Sequence, residues 1–283
     1  MIPVLSSTLA DATDYRACVL SATRAKISYL SYDDVKTLWS TATDEKSVIH
    51  YVFRDVVDMP MYFYDAVSAV NVYAWLQDRT LHVVFRGTEG SGDVKIDVNE
   101  IRAYLFPGNK DVMVHSGFLK QFHASQPFIL MAFEKYKDVV DTVHFSGHSL
   151  GGALATLAAA YFSPIIRTVA LCRIKCHTFG CPRIGNKGFV DWFTGKVDES
   201  YRILNFKDPV PLLPINGFYS HIFGGLEIND KNQIKNIGHD VPWIMRLIYL
   251  PFEIYYRNPI ANHACDLYIK RLLTLADWPV TPY

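Results

Sequence analysis

The residues with the clearest capacity for chemistry are Gly147-His148-Ser149-Leu150-Gly151, a G-x-S-x-G pattern. Residues 142–145 before it alternate β-branched and aromatic side chains, which suits a buried strand. Residues 153–161 after it are strong helix formers. On a sharp strand-to-helix turn, this pattern holds a serine in strained backbone geometry with its oxygen clear of the sheet. The flanking glycines let strand and helix pass too closely for side chains. The helix N-terminus behind the serine supplies unpaired N–H groups aimed at developing negative charge. The plainer reading is a glycine-rich turn joining a core strand to a core helix.

A nucleophilic serine needs a base, and the base needs an orienting acid. In a strand–turn–helix setting the partners are expected in the order serine, acid, histidine, at the C-terminal ends of later strands. Asp208 fits the acid, because it ends the apolar run 201–206 and Pro209 biases it toward extended backbone. Glu227 and Asp230 are later rivals in a polar turn region, and an ordinary turn aspartate is the plain alternative for Asp208. Four histidines follow Ser149: His177, His221, His239 and His263. His177 precedes Asp208 inside a strand, and His221 reads as structural. His239, after a glycine in a polar loop, competes with His263 at a loop-to-helix junction where Asn262 can cap. The chemistry implied is acyl transfer, with the base deprotonating Ser149 and the acid fixing its tautomer. The oxyanion needs two donors, expected from the Leu150 backbone N–H and the loop that carries Thr88.

The elements that must position these groups read as an alternating series. Residues 11–30 have the spacing of an amphipathic helix, and Ser31 can cap a second short helix. A β-rich section follows: residues 61–77 as one strand, a polar turn at 77–80, and the strand 81–85. Residues 112–118 form a short strand or turn and 119–137 a long helix. The Ser149 unit comes next, then strand 173–179, a short helix 187–195, strand 201–206, a β segment 218–228 and a closing helix near 264–276. Strands alternating with helices mean a mostly parallel sheet wrapped by helices. The expectation is a single domain over 1–283, with a mainly helical flank at 1–60 and a catalytic core at 81–268.

The chain has 283 residues, half of them hydrophobic, enough for one large α/β core. Its formal charge is zero and no basic stretch stands out, so no nucleic-acid partner is expected. Five cysteines, an odd number without zinc spacing, read as buried hydrophobes in a reducing compartment. The first fifteen residues lack a basic start and a continuous apolar run, so no signal peptide is expected; no window reads as a transmembrane segment. The placement expected is cytoplasmic or otherwise intracellular. The aromatic-rich run 243–256 is read as core, with acyl-pocket lining or membrane-surface contact as alternatives.

Taken in order, FRGTEG, VHSGF, GHSLGG, TFGCPRIGN, NFKDPVP, FYSH and NHACDLY resemble the class 3, fungal-type lipases across about residues 81–268. The resemblance implies an α/β-hydrolase fold, no cofactor and fatty-acid esters as substrate, with transient contact at a lipid surface. It carries the triad onto Ser149, Asp208 and His263 and the oxyanion hole onto Thr88 and Leu150. His115 and Arg183 fall on framework positions. The same resemblance suggests a lid over residues 91–104, for which an ordinary surface loop is the alternative. Other functions weighed are a soluble short-chain esterase, a phospholipase, an acyltransferase and a non-catalytic lipid-binding protein.

Overall fold

A computed structural model describes residues 13–88, 102–214, 217–237 and 259–282. The expected lid at 91–104 therefore lies outside the described residues except for its last three, and His239 and the run 243–256 lie wholly outside them.

Eight strands form one sheet: β1 (Met61–Asp65), β2 (Val70–Gln77), β3 (Thr80–Phe85), β6 (Thr142–His148), β7 (Arg173–Phe179), β8 (Glu199–Asn205), β9 (Gly225–Ile228) and β10 (Ile234–Ile237). They lie side by side in that order. Neighbours from β3 to β9 are parallel, while the β1–β2, β2–β3 and β9–β10 pairs are antiparallel. A separate ribbon pairs β4 (Arg102–Tyr104) with β5 (Met113–His115). Residues 61–77 are two strands and not one, because the chain turns at 66–69 with Ala69 at φ 53°. Only residues 225–228 of the expected segment 218–228 form a strand.

Both sheet faces are covered, so the strands are apolar on both sides. Val72, Ala74, Leu81, Val83, Phe85, Val143, Phe145, Ile174 and Cys176 face the helices α4 (Ser116–Tyr136) and α5 (Leu150–Val169). The alternate residues Tyr73, Trp75, Val84, Phe179 and Ile203 face α1 (Tyr15–Ile27), α3 (Val48–Phe53) and α8 (Cys265–Leu275). Phe145 is fully buried, and cutting it to alanine should cost about 3–5 kcal/mol. The short helices α2 (Tyr32–Thr41), α6 (Lys187–Thr194) and α7 (Pro259–His263) complete the set. Ser31 does cap α2, its Oγ accepting from Asp34 N–H at 3.2 Å.

Helix α5 is long and apolar enough to cross a membrane by length and composition, which the sequence reading overlooked. Its buried alanines instead pack on β6 and β7. At the far end of the chain, Thr281 bridges to the flank: Val48 N–H donates to its carbonyl at 2.9 Å and its own N–H donates to Lys46 at 2.7 Å.

Candidate active site

Ser149 lies where β6 gives way to α5, at φ 58° and ψ −129°, a left-handed backbone that non-glycine residues rarely adopt. Its N–H is tied to the Phe179 carbonyl at 2.9 Å, which holds the turn against the end of β7. A side chain at Gly147 would put Cβ 2.3 Å from the Gly151 carbonyl, and one at Gly151 would lie 2.2 Å from Phe85 O. Nothing but hydrogen fits where strand and helix cross. Leu150 opens α5, in the turn whose N–H groups have no intrahelical acceptor. Thr88 stands exposed, three residues beyond the end of β3, the strand beside β6.

Asp208 follows β8, after Lys207 turns the chain at φ 69°. Its carboxylate is fully buried, with each oxygen used. Oδ1 accepts from Val210 N–H at 2.9 Å. Oδ2 accepts from His263 Nδ1 at 2.8 Å and from the Tyr268 hydroxyl at 2.6 Å. Tyr268 in turn accepts from the Asn205 N–H at 3.0 Å. Burial, reinforced by the Asp208 charge, pushes the Tyr268 phenol well above its ordinary value, so it stays a donor.

His263 ends α7, and Ala264 caps α8 without a side-chain bond, so Asn262 is not the cap the sequence suggested. The Asn262 carbonyl accepts instead from Asn205 Nδ2 at 3.1 Å. With Nδ1–H spent on Asp208, the His263 Nε2 is left bare, buried and without a hydrogen-bond partner. It is therefore available to take a proton. Gly180, at φ 58°, brings its backbone against this pair: a Cβ there would lie 2.8 Å from Asp208 Oδ2 and 2.9 Å from His263 Nδ1. Because Gly180 follows Phe179, which holds Ser149, the ends of β6, β7 and β8 meet at one rim of the sheet.

The rival residues are engaged elsewhere. Asp230 pairs with Lys207 at 2.7 Å and Arg271 at 3.0 Å, and Glu227 lies on β9. His177 sits under α1 near Glu199 at 3.3 Å, and His221 donates from Nε2 to Pro211 O at 2.6 Å. His115 caps α4, its Nδ1 accepting from Gly117 N–H at 3.1 Å; buried Arg183 donates to Pro211 O at 3.0 Å. Sequence reasoning missed Tyr29, Tyr268, Asn205 and Gly180. Tyr268 carried one signal, its place on the apolar stripe with Ile269 and Leu272 in a helix just after His263. Among the described residues no cluster could hold a metal ion.

The family model described as Lipase (class 3) matches residues 82–218. A secreted mono- and diacylglycerol lipase 1 from Fusarium solani is 39% identical over 103 residues, covering 36% of this chain and 29% of that protein. A phospholipase A1-II 4 from Oryza sativa subsp. japonica is 29% identical over 209 residues, covering 64% of this chain and 52% of that one. The chain thus spans between about a third and about half of the length of these curated relatives. Among solved structures, the native Rhizomucor miehei lipase–propeptide complex superposes with TM-score 0.66 at 21% identity, over 90% of this chain and 84% of that one. The lipase from Rhizopus microsporus var. chinensis gives TM-score 0.63 at 22% identity, over 89% and 86%. The fold is the α/β-hydrolase fold.

The intracellular placement is corrected. The Fusarium solani relative and one from Gibberella zeae are both named secreted lipases, which points to an extracellular and not a cytoplasmic setting. The cysteine argument fails for a physical reason: all five thiols are buried and unpaired, and shielding from solvent preserves them in any compartment.

Proposed function

From the premise that this chain belongs to the class 3 lipase family, we propose that it is a serine hydrolase of lipid carboxylic esters. Ser149 is the nucleophile, His263 the general base and then acid, and Asp208 the orienting anion. The observation that carries this reading is the His263 Nδ1–Asp208 Oδ2 bond of 2.8 Å with Nε2 left bare, packed on Gly180, the residue after the Phe179 whose carbonyl holds Ser149 at φ 58°.

Nε2 takes the Ser149 hydroxyl proton as Oγ attacks the ester carbonyl, and Asp208 stabilises the imidazolium that forms. The Leu150 N–H and Thr88 receive the negative charge on the carbonyl oxygen. The tetrahedral adduct collapses when Nε2–H protonates the departing alcohol, leaving an acyl-serine. Water, deprotonated by the same nitrogen, then releases the carboxylic acid. No step calls for a metal or cofactor. Lipid substrates are supported by relatives named mono- and diacylglycerol lipase and lipase, and contact with a lipid surface belongs to the same reading.

A second reading, phospholipid ester hydrolysis, is favoured by the rice relative and by one from Arabidopsis thaliana named phospholipase A1-IIgamma. The test is a panel of p-nitrophenyl esters from short to long chain, with emulsified diacylglycerol and phosphatidylcholine vesicles, against Ser149→Ala. A rate rise above the solubility limit with diacylglycerol is the expected result. Activity confined to dissolved short esters would replace it with a soluble esterase. Turnover undiminished in Ser149→Ala would overturn the proposal.

A further inference from the structure

The residue before the nucleophile is itself buried and doubly hydrogen-bonded. His148 Nε2 lies 2.7 Å from the backbone carbonyl of His263, and its Nδ1 lies 2.9 Å from the hydroxyl of Tyr29, in the turn after α1. A carbonyl can only accept, so Nε2 must carry the proton; Nδ1 is then bare, and Tyr29 must donate to it. The tautomer of His148 is thus fixed by its two partners. Its ring lies over that of His263, with centroids 4.5 Å apart and planes 33° from parallel.

Tyr29 reaches a second part of the site. A Cβ on Gly87 would fall 2.2 Å from Tyr29 Oη and 2.7 Å from the His148 carbonyl oxygen, so the phenol fills the space a side chain there would need. Gly87 directly precedes Thr88. One hydroxyl therefore touches the residue before the nucleophile and the backbone before the proposed oxyanion donor, and through His148 it acts on the backbone of the base.

We infer that Tyr29 and His148 are a positioning pair that makes the N-terminal helical flank part of the catalytic apparatus, by fixing the backbone of His263 and laying a neutral ring against its imidazole. The inference rests on the hydrolase reading above. When His263 accepts the serine proton, it becomes a cation stacked on a π face; a charged neighbour would oppose it. Burial, reinforced by His263, depresses His148 to about 3, so the ring is uncharged at any working pH. The other groups around it are the Tyr268 ring at 5.8 Å and the more distant Lys26–Asp266 pair, whose opposite charges lie 2.8 Å apart.

Tyr29→Phe removes the donor to Nδ1 while keeping the ring, and His148→Leu removes both hydrogen bonds and the π face. For both, kcat on a soluble p-nitrophenyl ester should fall about tenfold or more with KM within about twofold, because the placement of the reacting groups is disturbed and not the binding of the ester. In His148→Leu the acid limb of the kcat/KM profile should also move to lower pH, since the imidazolium loses its stacked partner. A merely structural role would lower the melting temperature without moving that limb. Ring 15N shifts of His148 in wild type should show Nε2 protonated and Nδ1 bare, without titration between pH 5 and 8. A titrating His148, or wild-type kcat and an unmoved acid limb in both variants, overturns the inference. Wild-type protein left unlabelled at Ser149 by a fluorophosphonate would instead remove the hydrolase reading beneath it, with the NMR result still deciding the tautomer.

Discussion

The Tyr268 hydroxyl and the His263 Nδ1–H converge on one carboxylate oxygen, Asp208 Oδ2, at 2.6 and 2.8 Å. The proposed acid is shared between the proposed base and a neutral donor from α8, which draws negative charge away from the imidazole. Tyr268→Phe removes that donor and also leaves the buried Asn205 N–H without its acceptor. We expect kcat to fall about tenfold and stability to drop by about 1–2 kcal/mol. Because Asp208 then concentrates its charge on His263, the acid limb of the pH–rate profile should move upward. Ester kinetics from pH 5 to 9 with urea unfolding check both; a downward shift would contradict this account of the shared oxygen.

Gly180→Ala should separate activity from folding. The new methyl would press on Asp208 Oδ2 and His263 at under 3 Å, at a residue whose φ is already left-handed. Displacing that pair should cost about a hundredfold in kcat/KM. Circular dichroism should show a native spectrum, with a lowered melting temperature.

Asp208→Asn leaves the shape of the site nearly intact but frees His263 to adopt the wrong tautomer, at a cost of about 10⁴ in kcat. Thr88→Val should be milder, about 10²-fold, with the Leu150 N–H still in place. Finding these two substitutions in the reverse order of severity would displace Asp208 from its proposed role.

Acid should weaken the fold through histidines the chemistry does not use. His82 on β3 and His144 on β6 are register partners under α1, with their Nδ1 atoms 3.2 Å apart, and the His177 ring lies 4.4 Å beyond. Burial holds His82 and His144 well below the ordinary histidine value of 6.5. The unfolded chain therefore binds protons the folded one refuses, so their contribution is intact above about pH 6.5 and is lost as pH falls below it. The melting temperature should be lower at pH 5 than at pH 8, and His144→Leu should show a smaller drop.

The thiols should be silent until the protein unfolds. Burial raises Cys18, Cys172, Cys176, Cys181 and Cys265 alike. Ellman's reagent should find none in the native protein and five in denaturant. Rapid native labelling of any one would show that its segment opens readily.

The readable part of the site was the part encoded locally. The crossing of β6 and α5 needs glycine at 147 and 151 and a serine between them, so five consecutive letters disclose the turn. Asp208 was legible because a strand end followed by proline is also a local pattern. The contacts that orient these groups join residues far apart, such as Tyr29 to His148 and Asp208 to Tyr268, and a buried tyrosine in a helix reads as packing until its hydroxyl's partner is known. The break at 66–69 escaped notice for a related reason: Val67 and Ala69 continue the β-like alternation, while the left-handed Ala69 and the Asp65 carboxylate, which accepts from the Ser68 N–H at 2.9 Å, reverse the chain.

The clasp between Thr281 and residues 46–48 ties the last described residues back to the N-terminal helical flank, just ahead of α3. Flank and tail therefore brace each other, and α8 hangs from that brace with the phenol that holds Asp208. Loosening the tail would be felt first as a misaligned acid and only later as a melted sheet.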